Sequence, residues 1–188
     1  IVEMMDSLLH REDPDVSEAF TDIASERHEV YTGYRATAVE KTGEGIAVTA
    51  ETEASDSVRL EGEELLVAVG RRPNTDTLNV DAAGIETDDR GFVETDEQLE
   101  TTVDNVWAQG DIAGNQLFKH GGDYETQVTI DNVVHEEGRP VDYTALPHAI
   151  FTAPQIAGVG ATEADLQADD REYVVGRANF PDTPMGRA

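Results

Sequence analysis

The chain has no cysteine among its 188 residues. Structural disulfides, thiolate metal sites and thiol nucleophiles are therefore excluded within it. Lysine is almost missing: Lys41 and Lys119 are the only two, and every other basic residue is arginine. Thirteen basic residues face 40 acidic ones, for a formal net charge of −27. Such a chain repels phosphate, so no nucleic-acid partner is expected. No apolar run approaches the roughly 20 residues of a membrane-spanning helix, so no membrane partner is expected either. There is also no initiator Met and no basic leader segment before the opening "IVEMM". The chain reads as one that begins mid-protein, which makes the missing signal peptide uninformative. A cytoplasmic location is expected.

What is present is acid spread evenly over otherwise globular sequence. At molar salt, screening over about 3 Å removes the self-repulsion of such a surface. Together with the lysine depletion, this reads as adaptation to a salt-saturated cytoplasm. Hydrophobic residues make up 38%, enough for a lean core and for one sizeable domain or two small ones. His10, His28, His120, His135 and His148 are scattered without a zinc-like spacing. The acidic runs lack the alternation and glycine of a calcium loop, so no metal site is expected.

Periodicity gives a coarse map. "IVEMM" reads as the end of a strand with Glu3 at its tip. "DPDVSEAFTDIASERHE" reads as a helix, with Asp13 as its cap and Pro14 in the first turn. Val16, Ala19, Phe20, Ile23 and Ala24 share one face of it. Residues 29–51 alternate in short β-rich runs broken by Gly33, Gly43 and Gly45, a meander pattern. Residues 64–70, "ELLVAVG", form a continuous apolar run of strand length, as in a parallel sheet buried on both faces. A turn at 89–91, a short strand and an apolar strand into Gly110 follow. A helix over 121–138 is closed by Gly138. Two strands flank Pro154, a capping box at Thr162–Asp165 opens a further helix, and "EYVVGRANF" predicts a last strand.

The stretch "VWAQGDIAG", residues 106–114, carries the most chemistry. In an open α/β sheet, ligands bind beyond the carboxyl ends of the strands. Gly110 removes a side chain there, so backbone can approach a ligand closely. Asp111 then offers two acceptor oxygens suited to sugar-type hydroxyls. By itself, "GD" is more often a turn or a helix cap.

Three phrases in fixed order change that weighing: "VAVGRRPNT" (67–75), "GIETDDRGFVETDEQLETTVDNVWAQGDIAG" (84–114) and "FTAPQIAGVGATEADL" (151–166). Together they resemble the pyridine nucleotide–disulfide oxidoreductases, which include dihydrolipoamide dehydrogenase, mercuric reductase and the glutathione- and mycothione-type reductases. The resemblance runs over nearly the whole chain. It implies an α/β architecture of Rossmann-like FAD- and NAD(P)-binding pieces, followed by the start of an α+β interface domain. Residues 1–73 would be the second half of the NAD(P)-binding domain. Residues 74–143 would be the returning segment of the FAD domain, and 144–188 the start of the dimerisation domain.

The implied site residues follow. Glu3 stands where the Rossmann logic puts an acid on the ribose hydroxyls of NAD, and it would repel the 2′-phosphate of NADP. Arg11 nearby keeps NADP open. Ala36 falls where family backbone touches adenine. Gly70 resembles the glycine whose backbone lies near the nicotinamide, with Arg71 next to it. Gly110 and Asp111 match the turn whose aspartate holds the ribityl chain of FAD. Leu117, Phe118, Lys119 and His120 match the segment whose backbone N–H groups face the flavin pyrimidine edge, at a helix N-terminus that favours negative charge. Many members carry a small residue at Lys119, so its side chain is expected to point away from the flavin, and for His120 a structural polar role is expected rather than catalysis.

The family's FAD phosphate loop, its pair of cysteines four residues apart, its Gly-rich NAD loop and its distal His–Glu pair do not occur here. The expectation is an internal segment of a longer homodimeric enzyme, inactive by itself. The longer enzyme would pass a hydride between nicotinamide and FAD, and electrons on to a cysteine pair elsewhere. A small disulfide, a lipoyl group or mercuric ion would be the electron partner. "ANFPDTPMGRA" resembles the mycothione- and mercuric-reductase-like branches more than the lipoamide branch. A dithiol-free flavoprotein, such as an NADH oxidase or ferredoxin reductase, and a truncated module without catalysis are the competing readings.

Overall fold

A computed structural model describes residues 1–184 of the chain. Its opening unit is a parallel pair. Strand β1, Val2–Glu3, lies beside β2, Tyr31–Thr32, with Glu3 opposite Thr32. Parallel strands need a crossover, which helix α1, Pro14–Ser25, supplies. Pro14 sits in the first turn, where a missing N–H costs nothing. The face that α1 buries is narrower and more polar than the apolar pattern predicts. Ser17 and Ala24 are buried, Phe20 and Ile23 are half-buried, and Ala19 is exposed. The polar groups there are paired. Ser17 Oγ donates to Leu9 O at 2.8 Å, and Thr21 Oγ1 accepts from Leu8 N at 3.0 Å.

The meander is present. Strands β3 (Arg35–Lys41), β4 (Ile46–Glu51) and β5 (Ser57–Gly62) form an antiparallel sheet in that order. Val39, Val48 and Leu60 align across it. Central strand β4 buries Ala47 and Ala50, whereas edge strand β3 is exposed along its whole length.

Residues 64–70 do not form the buried strand expected of them. They pair with nothing among the described residues, and Leu66, Val67 and Val69 are 89%, 66% and 91% exposed. A parallel strand covered on both faces needs neighbours on both sides, and the described residues offer none. Gly70 thus ends an exposed run, not a buried strand.

A small core forms next. Helix α2, Thr75–Leu78, leads into a 3₁₀ turn at Val80–Ala83. Single antiparallel bridges join Thr87 to Val93, Thr95 to Thr101 and Glu100 to Trp107. The expected strand into Gly110 is reduced to the last of these. Helix α3, Lys119–His135, packs over them. Phe92, Val93, Leu99, Ala113 and Val128 are buried together in this part of the chain. Gly114 has φ +73°, and a Cβ there would lie 2.7 Å from the Phe92 ring. The helix starts two residues earlier than the pattern predicts. It ends at Glu136, which takes the left-handed cap that Gly138 was expected to supply.

Strands β6, Pro147–Ile150, and β7, Ile156–Val159, form the hairpin expected around Pro154. Helix α4, Glu163–Ala168, carries the Thr162–Asp165 capping box. The predicted strand over 172–180 is not formed. The segment around Arg177 folds back on α1 instead. Arg177 pairs with Asp15, and Arg27 Nη1 donates to Ala153 O at 3.0 Å. Asp13 does not cap its own helix; its Oδ1 accepts from Glu163 N at 2.7 Å and so helps to cap α4. No helix among the described residues is long and apolar enough to cross a membrane.

Candidate flavin-facing turn

The bridge Glu100–Trp107 delivers the chain into a single 3₁₀ turn, Gly110–Ile112. Gly110 has φ +71°, a conformation that favours glycine, and nothing lies within 4 Å of where its Cβ would be. Both ends of the turn are tied down. Gly110 N donates to Glu125 Oε2 at 2.6 Å, and Val93 N donates to Ile112 O at 2.9 Å. Asp111 is left at the apex, with its side chain 60% exposed.

Arg71 approaches from the other side. Its Nε lies 3.7 Å from Asp111 Oδ2, and its Nη1 donates to Leu117 O. The guanidinium therefore links the run 64–70, the Gly110 turn and the segment ahead of α3. An open cleft of about 580 Å³ lies beside them, lined by Arg71, Arg72, Leu78 and Asp111 among others.

Helix α3 begins directly after Phe118, which has extended backbone and makes no side-chain cap. The N–H groups of a first helical turn lack intrahelical partners and attract negative charge. Lys119 Nζ binds Asp123 Oδ2 at 2.6 Å, so its side chain runs along the helix surface. His120 is exposed, and Leu117 is half-buried. The Phe118 ring stacks on His148 at 5.2 Å, and His148 Nε2 lies 2.9 Å from Glu12 Oε1. Phe118 thus joins α3 to β6 and to the segment ahead of α1.

The nicotinamide-side candidates lie elsewhere. Glu3 is half-buried at the end of β1, and its Oε1 accepts from Met5 N at 2.8 Å. Tyr34 N donates to Glu3 O at 3.0 Å, which places the start of β3 and exposed Ala36 near that strand end. The structure therefore joins Arg71, Gly110, Asp111 and Leu117 with the start of α3, and keeps Glu3 and Ala36 as a second group.

Two residues of the turn's support escape the sequence patterns. Glu125 is fully buried, and its Oε1 accepts from Tyr143 Oη at 2.6 Å. Burial, then the Glu125 hydrogen bond and charge, push the Tyr143 phenol far up, so it stays a donor. The signal was in the spacing: Gly121, Glu125, Val128 and Asn132 recur at helical intervals and form the buried face of α3. A carboxylate in such a row needs a partner.

An FAD group fits these residues. An exposed carboxylate suits hydroxyls, an uncapped helix N-terminus suits the electron-rich edge of a ring, and Gln109 Oε1, next to Gly110, is buried with no partner among the described residues.

The sequence profile of the pyridine nucleotide-disulphide oxidoreductases matches residues 1–174. A dihydrolipoyl dehydrogenase of Halobacterium salinarum is 40% identical over the whole chain, which covers 39% of that protein. Dihydrolipoyl dehydrogenase 3 of Haloarcula marismortui is 43% identical over 71% of the chain and 28% of its own length. Among solved structures, the HOCl-induced flavoprotein disulfide reductase RclA of Escherichia coli superposes with a TM-score of 0.77 at 28% identity. That superposition covers 89% of this chain and 38% of RclA. The chain thus spans about two-fifths of the length of these relatives. Its acid-rich, lysine-poor composition agrees with the halophilic archaeal relatives. The chain belongs to the pyridine nucleotide-disulphide oxidoreductase family, with the α/β, Rossmann-like fold of its flavoprotein members.

Proposed function

We propose that this chain is the part of an FAD-dependent NAD(P)H:disulfide oxidoreductase that holds one side of the flavin and of the nicotinamide nucleotide. The observation that carries this is the Gly110 turn, which offers Asp111 beside Arg71 and the uncapped start of α3. FAD and NAD(H) are the cofactors of the family. When bound, FAD would exchange a hydride with the nicotinamide and pass electrons to or from a cysteine pair in a part of the polypeptide outside this chain.

In this reading Asp111 accepts hydrogen bonds from the ribityl hydroxyls, and Gly110 leaves the backbone open to the ligand. Leu117, Phe118, Lys119 and His120 contribute backbone at the helix N-terminus, where negative charge is favoured. Arg71 sets the position of Asp111 and adds positive charge. Gly70 lies beside the nicotinamide, Ala36 touches adenine, and Glu3 selects NAD over NADP by repelling a 2′-phosphate. The division at 73 and 143, the homodimer and the cytoplasmic location belong to the same proposal.

For the electron partner, a lipoyl group is favoured, because the archaeal relatives carry the name dihydrolipoyl dehydrogenase. The "ANFPDTPMGRA" likeness to the mercuric and mycothione branches rests partly on residues 185–188, outside the described residues. Mercuric ion or a small disulfide is the second choice. A disulfide reductase is favoured over a dithiol-free oxidase because RclA carries that title.

The test is Asp111→Ala in the full-length polypeptide. Each lost hydrogen bond to a charged acceptor costs about 1.5–3 kcal/mol, so FAD retention after gel filtration in high salt should fall by about tenfold or more. Unchanged flavin content would remove Asp111 from the site.

A further inference from the structure

Glu125 has no place in the hydride path, yet it is the most deeply buried charged-type side chain described, at 0% exposure. We propose that Glu125 is a positioning residue for the flavin: by holding the Gly110 N–H it fixes the direction in which Asp111 leaves the turn. This inference rests on the flavin reading of the Gly110 turn.

Three observations carry it. The first is the pattern of partners. Oε2 accepts from Gly110 N and Oε1 from Tyr143 Oη, both at 2.6 Å. The carboxylate is a two-ended brace between the turn and the segment after α3. Its partners are neutral donors, and no ion pair to it is formed among the described residues. The second is the cost. A buried carboxylate without a cation is expensive, and an apolar side chain of similar volume would serve packing better. Its neighbour on the same face, Val128, shows that apolar side chains are accommodated there.

The third is the place of contact. Gly110, at φ +71°, lies outside any strand ladder, so its N–H depends on a side chain for a partner. Asp111 is the next residue. A rotation of the 109–110 peptide that freed this N–H would swing the Asp111 carboxylate with it. Tyr143 fixes the other end. Its phenol stays protonated because of its burial and the adjacent Glu125 charge, so it keeps donating across the ordinary pH range.

The experiment compares Glu125→Gln, Tyr143→Phe and Asn132→Ala in the full-length polypeptide. Glu125→Gln keeps the volume but presents an NH2 group to one of two donors. Asn132 lies on the same buried face and binds Gln98 O and Arg139, not Gly110, so it controls for a merely structural loss. Apoprotein is titrated with FAD, and the flavin absorption band shape, the flavin midpoint potential and the melting temperature are recorded. Glu125→Gln should weaken FAD by about tenfold and change the band shape and potential. Tyr143→Phe should do the same to a smaller degree. Asn132→Ala should lower the melting temperature while leaving the FAD dissociation constant within about twofold and the potential unchanged.

A Glu125→Gln protein with wild-type affinity, spectrum and potential overturns the proposal, as does an equal loss in Asn132→Ala. Hydrogen exchange at the Gly110 amide separates this failure from failure of the flavin reading. If the wild-type polypeptide takes up no FAD, the flavin reading falls, and faster Gly110 exchange in Glu125→Gln still shows the brace at work. Unchanged exchange there overturns the brace itself.

Discussion

The Gly110 turn and the run 64–70 meet at Arg71, yet one is finished and the other is not. Every backbone end of the turn is tied, by Glu125, Val93 and the turn's own Ala113 N to Gly110 O bond of 3.0 Å. The run is more apolar, and it stays unpaired with Leu66 and Val69 about nine-tenths exposed. The difference lies in where each finds its partners. The turn is completed by groups near it in sequence, the Glu125 side chain on α3 and the backbone N–H groups of Val93 and Ala113. A strand of continuous apolar character is completed only by other strands on both sides. Hydrophobicity alone does not make a strand, because backbone N–H and C=O groups need partners before the apolar faces can be buried.

The sharpest way to break this comparison is to put a charge into the run. Leu66→Asp should change stability by less than about 0.5 kcal/mol in the 188-residue chain, where the side chain faces water. If the run joins a sheet covered on both faces in the full-length polypeptide, the same change there should cost about 3–5 kcal/mol, the scale of an uncompensated buried charge. Urea denaturation of both proteins reads this directly. Equal small effects in both would mean that the run stays exposed, and that its strand-like pattern serves something other than a sheet.

A smaller effect probes the finished side. Leu99 is fully buried in the core beneath the turn, and its carbonyl accepts from Ala108 N at 3.0 Å. Leu99→Ala removes packing without touching that hydrogen bond. The expected loss is about 2–4 kcal/mol, the range for a buried leucine whose surroundings relax partially. It should appear in the 188-residue chain as well as in the full-length polypeptide. If the loss appeared only in the longer protein, the core around Leu99 would depend on distant partners just as the run does, and the contrast would vanish.

The same division decides what could be read from sequence. The hairpin around Pro154, the Thr162–Asp165 box and the Gly110–Asp111 turn were legible, because each is set by residues a few positions apart. Asp13 looked like the cap of its own helix, but it caps α4, 150 residues away. No local pattern encodes that choice. Glu125 was overlooked because a glutamate on a helix is normally solvated, and only the spacing of Gly121, Val128 and Asn132 places it inside. The run 64–70 failed in the opposite direction: its apolar composition predicts a buried strand, but no strand among the described residues pairs with it. Of the candidate site, the Gly110–Asp111 turn was legible, and the residue that holds it was not.

The smallest effect tests how the finished side is fastened at its far end. Asp131 and Arg139 pair at 2.6 Å at the end of α3, and Gln127 Nε2 adds a 3.0 Å hydrogen bond to Asp131. The Arg139 hydrogen bond, then that from Gln127, hold the Asp131 carboxyl below its ordinary value. A group whose folded pKa is depressed stabilises the fold above its unfolded pKa, about 3.9, and loses that contribution as pH falls through the folded value. Asp131→Asn should therefore melt slightly below wild type at neutral pH, and the gap should close as pH is taken below about 4. Acid also neutralises the chain's large negative charge, but it does so in both proteins, so the difference isolates the pair. Amide exchange in residues 64–70 should stay fast in both proteins throughout, because nothing in the run depends on that fastening. A gap that stayed constant into strong acid would assign the effect to packing at α3, not to the Asp131 charge.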